Sequence, residues 1–495
     1  MSVAVRIPPE LETFTRVPNA SSLVIRGPPG SGKTMLSLEL MGSFPGRRVY
    51  VSFRVTRESL FDQIPWLGKL PPGEIEVVDA FNHADHAGDH RPAEHADRLI
   101  ASPKEAKDVD QFLWLPQAVQ SAWSLADSKK PTMIIFDSWD AVLDQYYERT
   151  VGTGQAGPSR SEMERFLVAR LMKKNLSLVL ILERDTSSTL DYLVDGIVET
   201  SRRLVEGRLE RWLTLLKLRG VAIPDDTYPF TLASGRFTAI TPALLRDFAI
   251  HPPVDDPHPD EPGLWPGSTD FAAAFGRLEP GRITLLELDS AAPREIPRVI
   301  LGPMMIQALR GGGRGLLLAA PSIDPEDAFS SVRGMVSAEV LSSRMRVISV
   351  IPIPPGAAKS SGMFAPYHWT TEGPSVPVPE DAEFIQGALT TDRPNLVIAY
   401  LSAIEAAAEA AGIKVGHGVL SALGAAVFPA SPVHVVAVAR SGDSLYQVVN
   451  PVSESLIKIR YSNGRVFLSG HRPYSHPLIL SLEGLTEPYR LMPVL

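Results

Sequence analysis

A glycine-rich loop at residues 27–34 constrains this chain more than any other stretch. Its sequence, GPPGSGKT, fits the pattern G-x-x-x-x-G-K-[ST] without a mismatch. Three apolar residues, Leu23 to Ile25, stand just before it, and residues that favour a helix follow. A strand and a helix joined in this way place several backbone N–H groups around one anion, and the helix dipole adds positive potential. The pattern therefore predicts a phosphate-binding loop at the end of a buried strand.

The residues of this loop predict a nucleotide site that includes a magnesium ion. We expect Lys33 to reach the β- and γ-phosphates and the hydroxyl group of Thr34 to bind Mg²⁺. A chance glycine loop would not require the strand, the helix and the Lys-Thr pair together. The candidate nucleotide-binding residues are Gly27, Pro28, Pro29, Gly30, Ser31, Gly32, Lys33, Thr34 and Met35.

The composition is that of a folded chain with more than one domain. Its 495 residues exceed what one hydrophobic core can organise, and length alone suggests about two to four domains. The net charge of −8 argues against a nucleic-acid binder that acts by bulk electrostatics. Because the chain has no cysteine, disulfides, thiolate chemistry and cysteine-bound zinc are excluded.

Two stretches bear on where the protein works. The first residues, MSVAVRIPPELE, lack the basic and apolar regions of a secretory signal, so we expect a cytoplasmic protein. Val415 to Ala439 is uncharged, but Pro429, Pro432 and two histidines interrupt it. A core helix, a turn and a buried strand explain this stretch better than a membrane span, and we expect no membrane partner.

Strands and helices alternate after the loop. Arg48 to Phe53 and Glu76 to Ala80 predict two further strands. Between them, Thr56 is placed to cap a helix whose first turn contains Glu58. This alternation is typical of parallel βαβ units, whose ligands bind at the carboxyl ends of the strands.

An apolar strand from Pro131 to Ser138 carries the second part expected of a phosphate-binding site. Asp137, near its end, is predicted to hold the magnesium ion together with Thr34. Strands that end in aspartate are common, and capping of the next helix is the alternative role. The complete phosphate-binding loop upstream favours the metal role.

Two polar loops give weaker patterns. His83 to Asp97 contains four histidines among acidic residues and could bind a metal, but the spacing matches no standard site, so a solvated loop is favoured. Thr150 to Ser161 is predicted to be a mobile, glycine-rich loop. Its neighbours Arg149, Arg160 and Arg165 would contact nucleic acid or a partner, although solvated charges are the commoner case.

A β-hairpin is predicted around residue 206. Leu178 to Leu182 forms a buried strand, and Gly196 to Gly220 reads as two strands joined at Glu206-Gly207. The second strand ends in Lys217-Leu218-Arg219, and alternation along the strand puts both cations on one face. Such cations also occur on solvated edge strands, where they discourage aggregation.

Together these elements resemble the RecA superfamily, and within it the KaiC-like and RadA-like ATPases. The hairpin that runs into KLRG, with Tyr228-Pro229-Phe230 soon after it, looks specifically like KaiC. The resemblance implies an α/β fold, ATP with Mg²⁺ as the ligand, and a homo-oligomeric ring such as a hexamer. It also implies that Lys217 and Arg219 act on the γ-phosphate bound by the neighbouring subunit, as arginine fingers do.

One position departs from the pattern of this family. KaiC-like enzymes carry a glutamate just after the second strand that helps to activate the attacking water, but here the chain reads Phe53-Arg54-Val55-Thr56. Glu58 and Glu183 are the candidate substitutes. Because loss of a general base costs about 10²- to 10⁴-fold in rate, we expect ATP binding with slow hydrolysis. The candidate catalytic residues are Lys33, Lys217, Arg219 and Glu183.

The second half of the chain predicts a duplicate of the first. A linker rich in proline and aspartate, residues 247–269, separates an ATP-binding domain, residues 1–246, from a second domain, residues 270–495. Each predicted strand of that second domain stands roughly 260 positions after its counterpart, and the last hairpin turns at Asn463-Gly464. We therefore expect two tandem RecA-like domains, each with a mainly parallel sheet, flanking helices and a C-terminal β-hairpin.

The chemistry is missing from the duplicate. In place of a phosphate-binding loop stand Glu287 to Glu295, which contain no glycine and include acidic residues that repel phosphate. The strand that matches the Asp137 strand ends in Tyr400, and the hairpin end, Leu468 to Arg472, lacks the Lys-x-Arg pair. This half therefore predicts a pseudo-ATPase domain. The long irregular stretch from Pro352 to Asp381 is either disordered or a recognition surface.

Three functions compete at this point. The favoured one is a KaiC-like regulatory ATPase in which nucleotide at the first domain controls ring assembly, while the second domain binds a protein partner. Archaeal gas-vesicle regulatory P-loop proteins resemble this layout. The alternative is a RadA-like recombination or repair factor that binds DNA through residues 150–161 and 183–190, which the acidic balance disfavours. The third is a KaiC-like autokinase, against which the damaged second site argues.

Overall fold

The chain divides into two compact units. One lies within residues 3–241 and the other within residues 242–493. Each unit is built around one large β-sheet. The computed structural model describes residues 6–16, 21–69, 75–80, 117–125, 131–153, 159–171, 176–183, 189–242, 252–320, 332–349, 395–410, 433–482 and 487–494.

The first unit has a sheet with a parallel part and an antiparallel part. Its described strands are β1 Ser22–Arg26, β2 Arg47–Ser52, β3 Ile75–Asp79, β4 Thr132–Asp137, β5 Leu176–Leu182, β6 Gly196–Val205, β7 Arg208–Leu218, β8 Thr227–Thr231 and β9 Thr238–Ala239. Their order across the sheet is β3-β2-β4-β5-β1-β6-β7-β8-β9. Neighbours run parallel from β3 to β6 and antiparallel from β6 to β9. The central strands are apolar over nearly their whole length, as strands covered on both faces must be.

Helices cover both faces of the parallel strands. They are α1 Pro9–Arg16, α2 Lys33–Ser43, α3 Arg57–Gln63, α4 Gln117–Ser124, α5 Trp139–Thr153, α6 Arg160–Leu171 and α7 Leu190–Leu193. Alternation along β4 shows the two cores. Met133 and Ile135 pack with residues of α1, α2 and α3, whereas Ile134 and Phe136 pack with residues of α4, α5 and α6. As predicted, Thr56 caps α3, with its side chain accepting the N–H of Ser59.

The predicted hairpin is formed by β6 and β7. Its turn residues, Glu206 and Gly207, have φ values of 50° and 76°. Positive φ at both positions is what a two-residue type I′ turn requires, because this turn matches the twist of the flanking strands. The turn fixes the register and places Arg202 directly opposite Arg211.

The second unit repeats this architecture. Its described strands are β10 Ile283–Leu288, β11 Gly315–Ala319, β12 Met345–Ser349, β13 Leu396–Tyr400, β14 His434–Arg440, β15 Ser455–Ser462, β16 Arg465–Arg472, β17 Leu478–Ser481 and β18 Arg490–Pro493. Their sheet order is β12-β11-β13-β14-β10-β15-β16-β17-β18. The described helices are α8 Thr269–Phe275, α9 Ile296–Arg310, α10 Ala338–Arg344, α11 Leu401–Ala410 and α12 Tyr446–Val449. Strand by strand, this is the order of the first sheet.

The fold class predicted from the sequence is confirmed. Two large, mainly parallel sheets flanked by helices are consistent with two tandem α/β domains of the RecA type. The predicted last hairpin is present as β15 and β16, and its turn residues Asn463 and Gly464 have φ values of 49° and 71°. No helix in the described part of the chain combines the length and the apolar character that a membrane crossing requires.

One loop prediction needs correction. The sequence predicts a loop over the whole of Thr150 to Ser161, but α5 continues to Thr153 and α6 begins at Arg160. A glycine within a helix costs about 1 kcal/mol relative to alanine, which the packed residues of α5, such as Val142 and Tyr146, offset. The stretches His83 to Asp97 and Pro352 to Asp381 lie outside the described residues.

The predicted linker is ordered where it is described. From residue 252 onwards it packs on the second unit, where the Trp265 Nε1–H donates to the Val254 carbonyl oxygen over 2.9 Å. Gln307 on α9 donates its side-chain amide to the same oxygen over 2.6 Å. Asp256 pairs with Arg277, which holds the pKa of that carboxyl group below its usual value. The boundaries of the two domains stay predictions.

Candidate nucleotide-binding site

The predicted phosphate-binding loop joins β1 to α2 at the carboxyl edge of the first sheet. A Cβ added to Gly27 would lie 2.1 Å from the carbonyl oxygen of Thr200 on β6, so only glycine fits there. Gly32 caps α2 with a φ of 92°, and no side chain caps this helix. The first N–H groups of α2 therefore remain available to an anion in the loop.

The side chain of Lys33 folds back over this loop. Its Nζ donates to the carbonyl oxygens of Gly27, over 2.7 Å, and Pro28, over 2.9 Å. Burial lowers the pKa of Lys33, whereas the carboxylates of Glu183 and Asp137 act in the opposite direction. The ammonium group is thus close to both the loop and the acids at the ends of β4 and β5.

Asp137, the last residue of β4, meets Thr34 directly. The Thr34 hydroxyl donates to Asp137 Oδ2 over 2.6 Å, and the Tyr50 hydroxyl from β2 donates to the same oxygen over 2.5 Å. Burial, followed by the charge of Asp137, raises the pKa of Tyr50, so its phenol stays a neutral donor. The sequence predicted the pair Thr34 and Asp137. The sequence did not indicate a role for Tyr50, because an aromatic residue in a buried strand is normally interpreted as part of the hydrophobic core.

Thr34 and Asp137 fit a magnesium ion by the chemistry of their donors. Both present oxygen, which Mg²⁺ prefers, and protein sites for this ion commonly supply one or two carboxylates while phosphates and water complete the shell. The alternative role for Asp137, capping α5, is taken by its neighbour, because Ser138 Oγ accepts the N–H of Ala141. Among the described residues, no group of three or more histidines and acids could hold a metal by itself.

Glu183, just beyond β5, is the acid that the structure brings to this site. Its side chain forms an ion pair with Arg54, which follows β2. Its backbone N–H donates to Asp140 Oδ2 over 2.8 Å. Glu183 follows Leu182, which faces Arg26 in the register of β5 and β1, so the ion pair lies beside the start of the loop. Glu58, the other candidate, is exposed in the first turn of α3.

Lys217 and Arg219 are not near the loop of their own chain. The end of β7, at Leu218, pairs with Gly196 at the start of β6. Gly196 in turn pairs with Leu23 at the amino end of β1, whereas the loop follows the carboxyl end of that strand. The two cations are therefore at the opposite edge of the sheet, away from the loop of their own chain.

The contacts of the two cations differ. Lys217 is partly buried, and its Nζ donates to the carbonyl oxygens of Asp191, over 2.9 Å, and Val194, over 2.6 Å. The side chain of Arg219 is 63% exposed and pairs with Asp195 over 2.8 Å. Lys217 thus holds the end of the hairpin to the segment before it, while Arg219 faces solvent.

The structure adds hairpin residues to the site that sequence reasoning missed. The hydroxyl groups of Ser31 and Thr200 share a hydrogen bond of 2.6 Å, which ties the loop to β6. From β7, Arg211 donates through Nη1 to the carbonyl oxygen of Gly30 over 2.6 Å. The turn at Glu206-Gly207 predicts which residues of the hairpin face each other. It does not predict that β6 pairs with β1, and that pairing brings the hairpin to the loop.

In the second unit, the loop that corresponds to the phosphate-binding loop contains a side-chain carboxylate that accepts hydrogen bonds from the backbone. Asp289 follows β10, and its Oδ1 accepts the N–H of Ala291 over 3.1 Å, while its Oδ2 accepts the N–H of Tyr461 over 3.4 Å. A side-chain carboxylate thus accepts hydrogen bonds from backbone N–H groups next to the end of β10. Tyr400 ends β13, where the first unit has Asp137, and is buried.

Comparison with known proteins places the first unit in a family context. Residues 11–216 match the family model described as GvpD gas vesicle protein, P-loop domain. Protein GvpD2 of Halobacterium salinarum is 30% identical over 60% of this chain and 58% of its own length. Protein GvpD1 of the same organism is 29% identical over 49% of this chain and 42% of its own length.

A more distant similarity extends to a clock protein. The circadian clock oscillator protein KaiC of a Nostoc species is 24% identical over 44% of this chain and 40% of its own length. The matches thus cover between two fifths and three fifths of the relatives' own lengths. The first unit is thus similar to the P-loop domain of GvpD gas vesicle proteins and, more distantly, to KaiC, which supports a P-loop fold of the RecA type for this unit. A P-loop domain implies nucleotide binding.

Proposed function

We propose that this chain is a regulatory ATP-binding protein in which Mg-ATP at the first unit controls assembly of a ring and contact with a protein partner. The observation that carries the proposal is the hydrogen bond of 2.6 Å between Thr34 and Asp137 beside an intact phosphate-binding loop. In P-loop proteins this hydroxyl and this carboxylate hold the metal that neutralises the terminal phosphates. Magnesium bound there would supply charge for the β- and γ-phosphates.

The ion pair of Arg54 with Glu183 supports slow turnover. Glu183 is the only candidate base of the sequence prediction that is close to Lys33, and an arginine neutralises it. The guanidinium group occupies carboxylate oxygens that a general base would use to accept the proton of the attacking water. In this account the bound nucleotide persists long enough to act as a signal, and hydrolysis resets it.

Assembly through the opposite edge of the sheet is the second part of the proposal. Arg219 is exposed at that edge and paired only with Asp195 in the contacts described, so it is the better candidate for reaching the nucleotide of a neighbouring subunit. Lys217 is held by two carbonyl oxygens of its own chain and is the weaker candidate. The relatives support oligomerisation or protein interaction for a chain of this type.

The test measures assembly and turnover together. Mass photometry with and without Mg-ATP, alongside phosphate release, compares the wild-type chain with Lys33→Ala and Arg219→Ala. We expect nucleotide-dependent assembly that both substitutions abolish, with ATP binding retained in Arg219→Ala. Arg294→Ala, in the corresponding loop of the second unit, is the matched control and should behave as wild type. Equal mass under all conditions would overturn the proposal, and salt-dependent DNA binding by that same protein would support the RadA-like alternative.

A further inference from the structure

Two arginines of the hairpin lie against the phosphate-binding loop of the same chain. Arg202 on β6 and Arg211 on β7 face each other in the register of the hairpin. Arg211 Nη1 donates to the Gly30 carbonyl oxygen over 2.6 Å. A Cβ built on Gly30 would lie 3.7 Å from Arg202 Nη1. The two guanidinium groups therefore border the middle of the loop, on the side of β1 away from Asp137.

The charge of this pair is not balanced by the residues around it. Like charges directly opposite each other on a sheet repel, and none of the ion pairs in the described residues includes Arg202 or Arg211. Burial, and then the charge of Arg202, lowers the pKa of Arg211. The Nε atom of Arg211 is buried without a hydrogen-bond partner. Arg26, close by on β1, is by contrast paired with two carboxylates.

A bound anion would balance the positive charges of Arg202 and Arg211. A guanidinium group has five N–H donors, of which Arg211 uses one on Gly30. Pairs of guanidinium groups bind phosphate oxygens through several parallel hydrogen bonds, which a single lysine cannot do. The pair borders a loop whose sequence predicts phosphate binding. We therefore expect the anion bound by the pair and the ligand of the loop to be the same molecule.

We infer that Arg202 and Arg211 bind the polyphosphate chain of the nucleotide from within the same chain, as a second cationic element beside Lys33. The inference rests on the proposed nucleotide site. It assigns to the hairpin a role in affinity for polyphosphates that is separate from the opposite edge of the sheet, where Lys217 and Arg219 lie.

The test is calorimetric titration of the full chain with Mg-ATP and with inorganic tripolyphosphate. Arg202→Ala should weaken binding of both ligands about tenfold, the size expected from losing a charged hydrogen bond, and the double variant with Arg211→Ala should weaken it further. Arg211→Lys, which keeps a charge, should lose less than Arg211→Ala. Arg203→Ala is the matched control, because Arg203 is next in the strand and lies over the Trp212 ring instead.

A thermal measurement separates binding from folding. Since Arg202 is exposed and opposes a like charge, Arg202→Ala should keep or slightly raise the melting temperature while it weakens binding. Wild-type affinity for both ligands in Arg202→Ala and in the double variant would overturn the inference. So would a change in oligomer mass without any change in affinity, which would assign the pair to a protein contact.

The outcomes also distinguish this inference from the proposed function. If Lys33→Ala abolishes Mg-ATP binding and the arginine variants bind normally, the nucleotide site stands and the inference fails. If the wild type binds tripolyphosphate through the two arginines but does not bind Mg-ATP, the anion site stands and the proposed function fails. If the wild type binds neither ligand, both are overturned.

Discussion

The two units share one strand order and differ at one loop. At the end of β1 the chain has three glycines and Lys33, whereas at the end of β10 it has Asp289, which accepts backbone N–H groups in its vicinity. Asp137 at the end of β4 is replaced by the buried Tyr400 at the end of β13. The same sheet therefore forms with or without a glycine-rich loop, because apolar packing rather than the loop holds the strands together.

An ion pair between neighbouring strands occurs in both units with its charges reversed. At the end of β1, Arg26 pairs with Asp191 on α7 over 2.9 Å and with Glu199 on β6 over 3.1 Å. At the end of β10, Glu287 accepts a hydrogen bond of 2.6 Å from Tyr446 on α12 and lies 3.8 Å from Lys458 on β15. The same three elements are joined each time.

The register shows that these networks are equivalent positions. Arg26 faces Glu199, and Glu287 faces Lys458, in the corresponding strand pairs. Opposite charges are needed at this spot, but which strand carries which sign is free to change.

The two hairpins can be compared in the same way at Lys217. Each first strand has a bulge at the same place, after Ile197 and after Leu456, and those residues face Lys217 and Arg472. Arg472 Nη2 donates to the Asn450 carbonyl oxygen over 2.6 Å, much as Lys217 binds carbonyl oxygens. The sequence prediction that the second hairpin lacks the Lys-x-Arg pair holds, but one cation of the pair has a structural counterpart.

The largest expected effect concerns nucleotide affinity and the two loops in which the units differ. Lys33→Ala should weaken Mg-ATP binding about 100-fold or more, because it removes a cation that faces the loop. Arg294→Ala should leave affinity within twofold of wild type. Titration calorimetry measures both. An equal loss in the two variants would mean that the second loop also takes nucleotide.

The second prediction tests the charge-reversed network. Arg26→Glu should lower the free energy of unfolding by about 3 kcal/mol, because it places three carboxylates together at a site where Arg26 is only 11% exposed. Adding Glu199→Lys, which copies the two strand charges of the second unit, should restore only part of the loss, because Asp191 keeps its charge where the second unit has Tyr446. Urea unfolding followed by circular dichroism measures it. Additive losses in the double variant would contradict the equivalence of the two networks.

The third prediction concerns turnover at the site proposed in the first unit. Arg54→Ala should raise the rate of phosphate release about tenfold by freeing Glu183 from its ion pair. Glu183→Gln in the Arg54→Ala background should remove the gain. A rate that stays raised in the double variant would show that another group is the base.

The smallest expected effect is on stability, and it compares equivalent cations of the two hairpins. Lys217→Ala and Arg472→Ala should each lower the free energy of unfolding by about 1 to 2 kcal/mol, since each removes a charged donor from backbone carbonyl oxygens. Chemical denaturation of both variants provides the measurement. If Lys217→Ala stops phosphate release and leaves stability unchanged, its role is in the neighbouring site after all.

The sequence predicted what local patterns determine. The loop, the Asp137 strand and the two hairpin turns each follow from the chemistry of a few adjacent residues. Tyr50 and Arg211 were missed because their roles depend on strand order, which brings residues that are distant in the chain to the same edge. The same holds for the reversal of charge between Arg26 and Glu287, which only the registers of the two sheets reveal.

The central claim is that one unit binds nucleotide and its duplicate does not. Native mass spectrometry of the full chain in Mg-ATP counts the nucleotides bound per chain. The account predicts one in the wild type and none in Lys33→Ala. Two nucleotides per chain, or one that persists in Lys33→Ala, would contradict it.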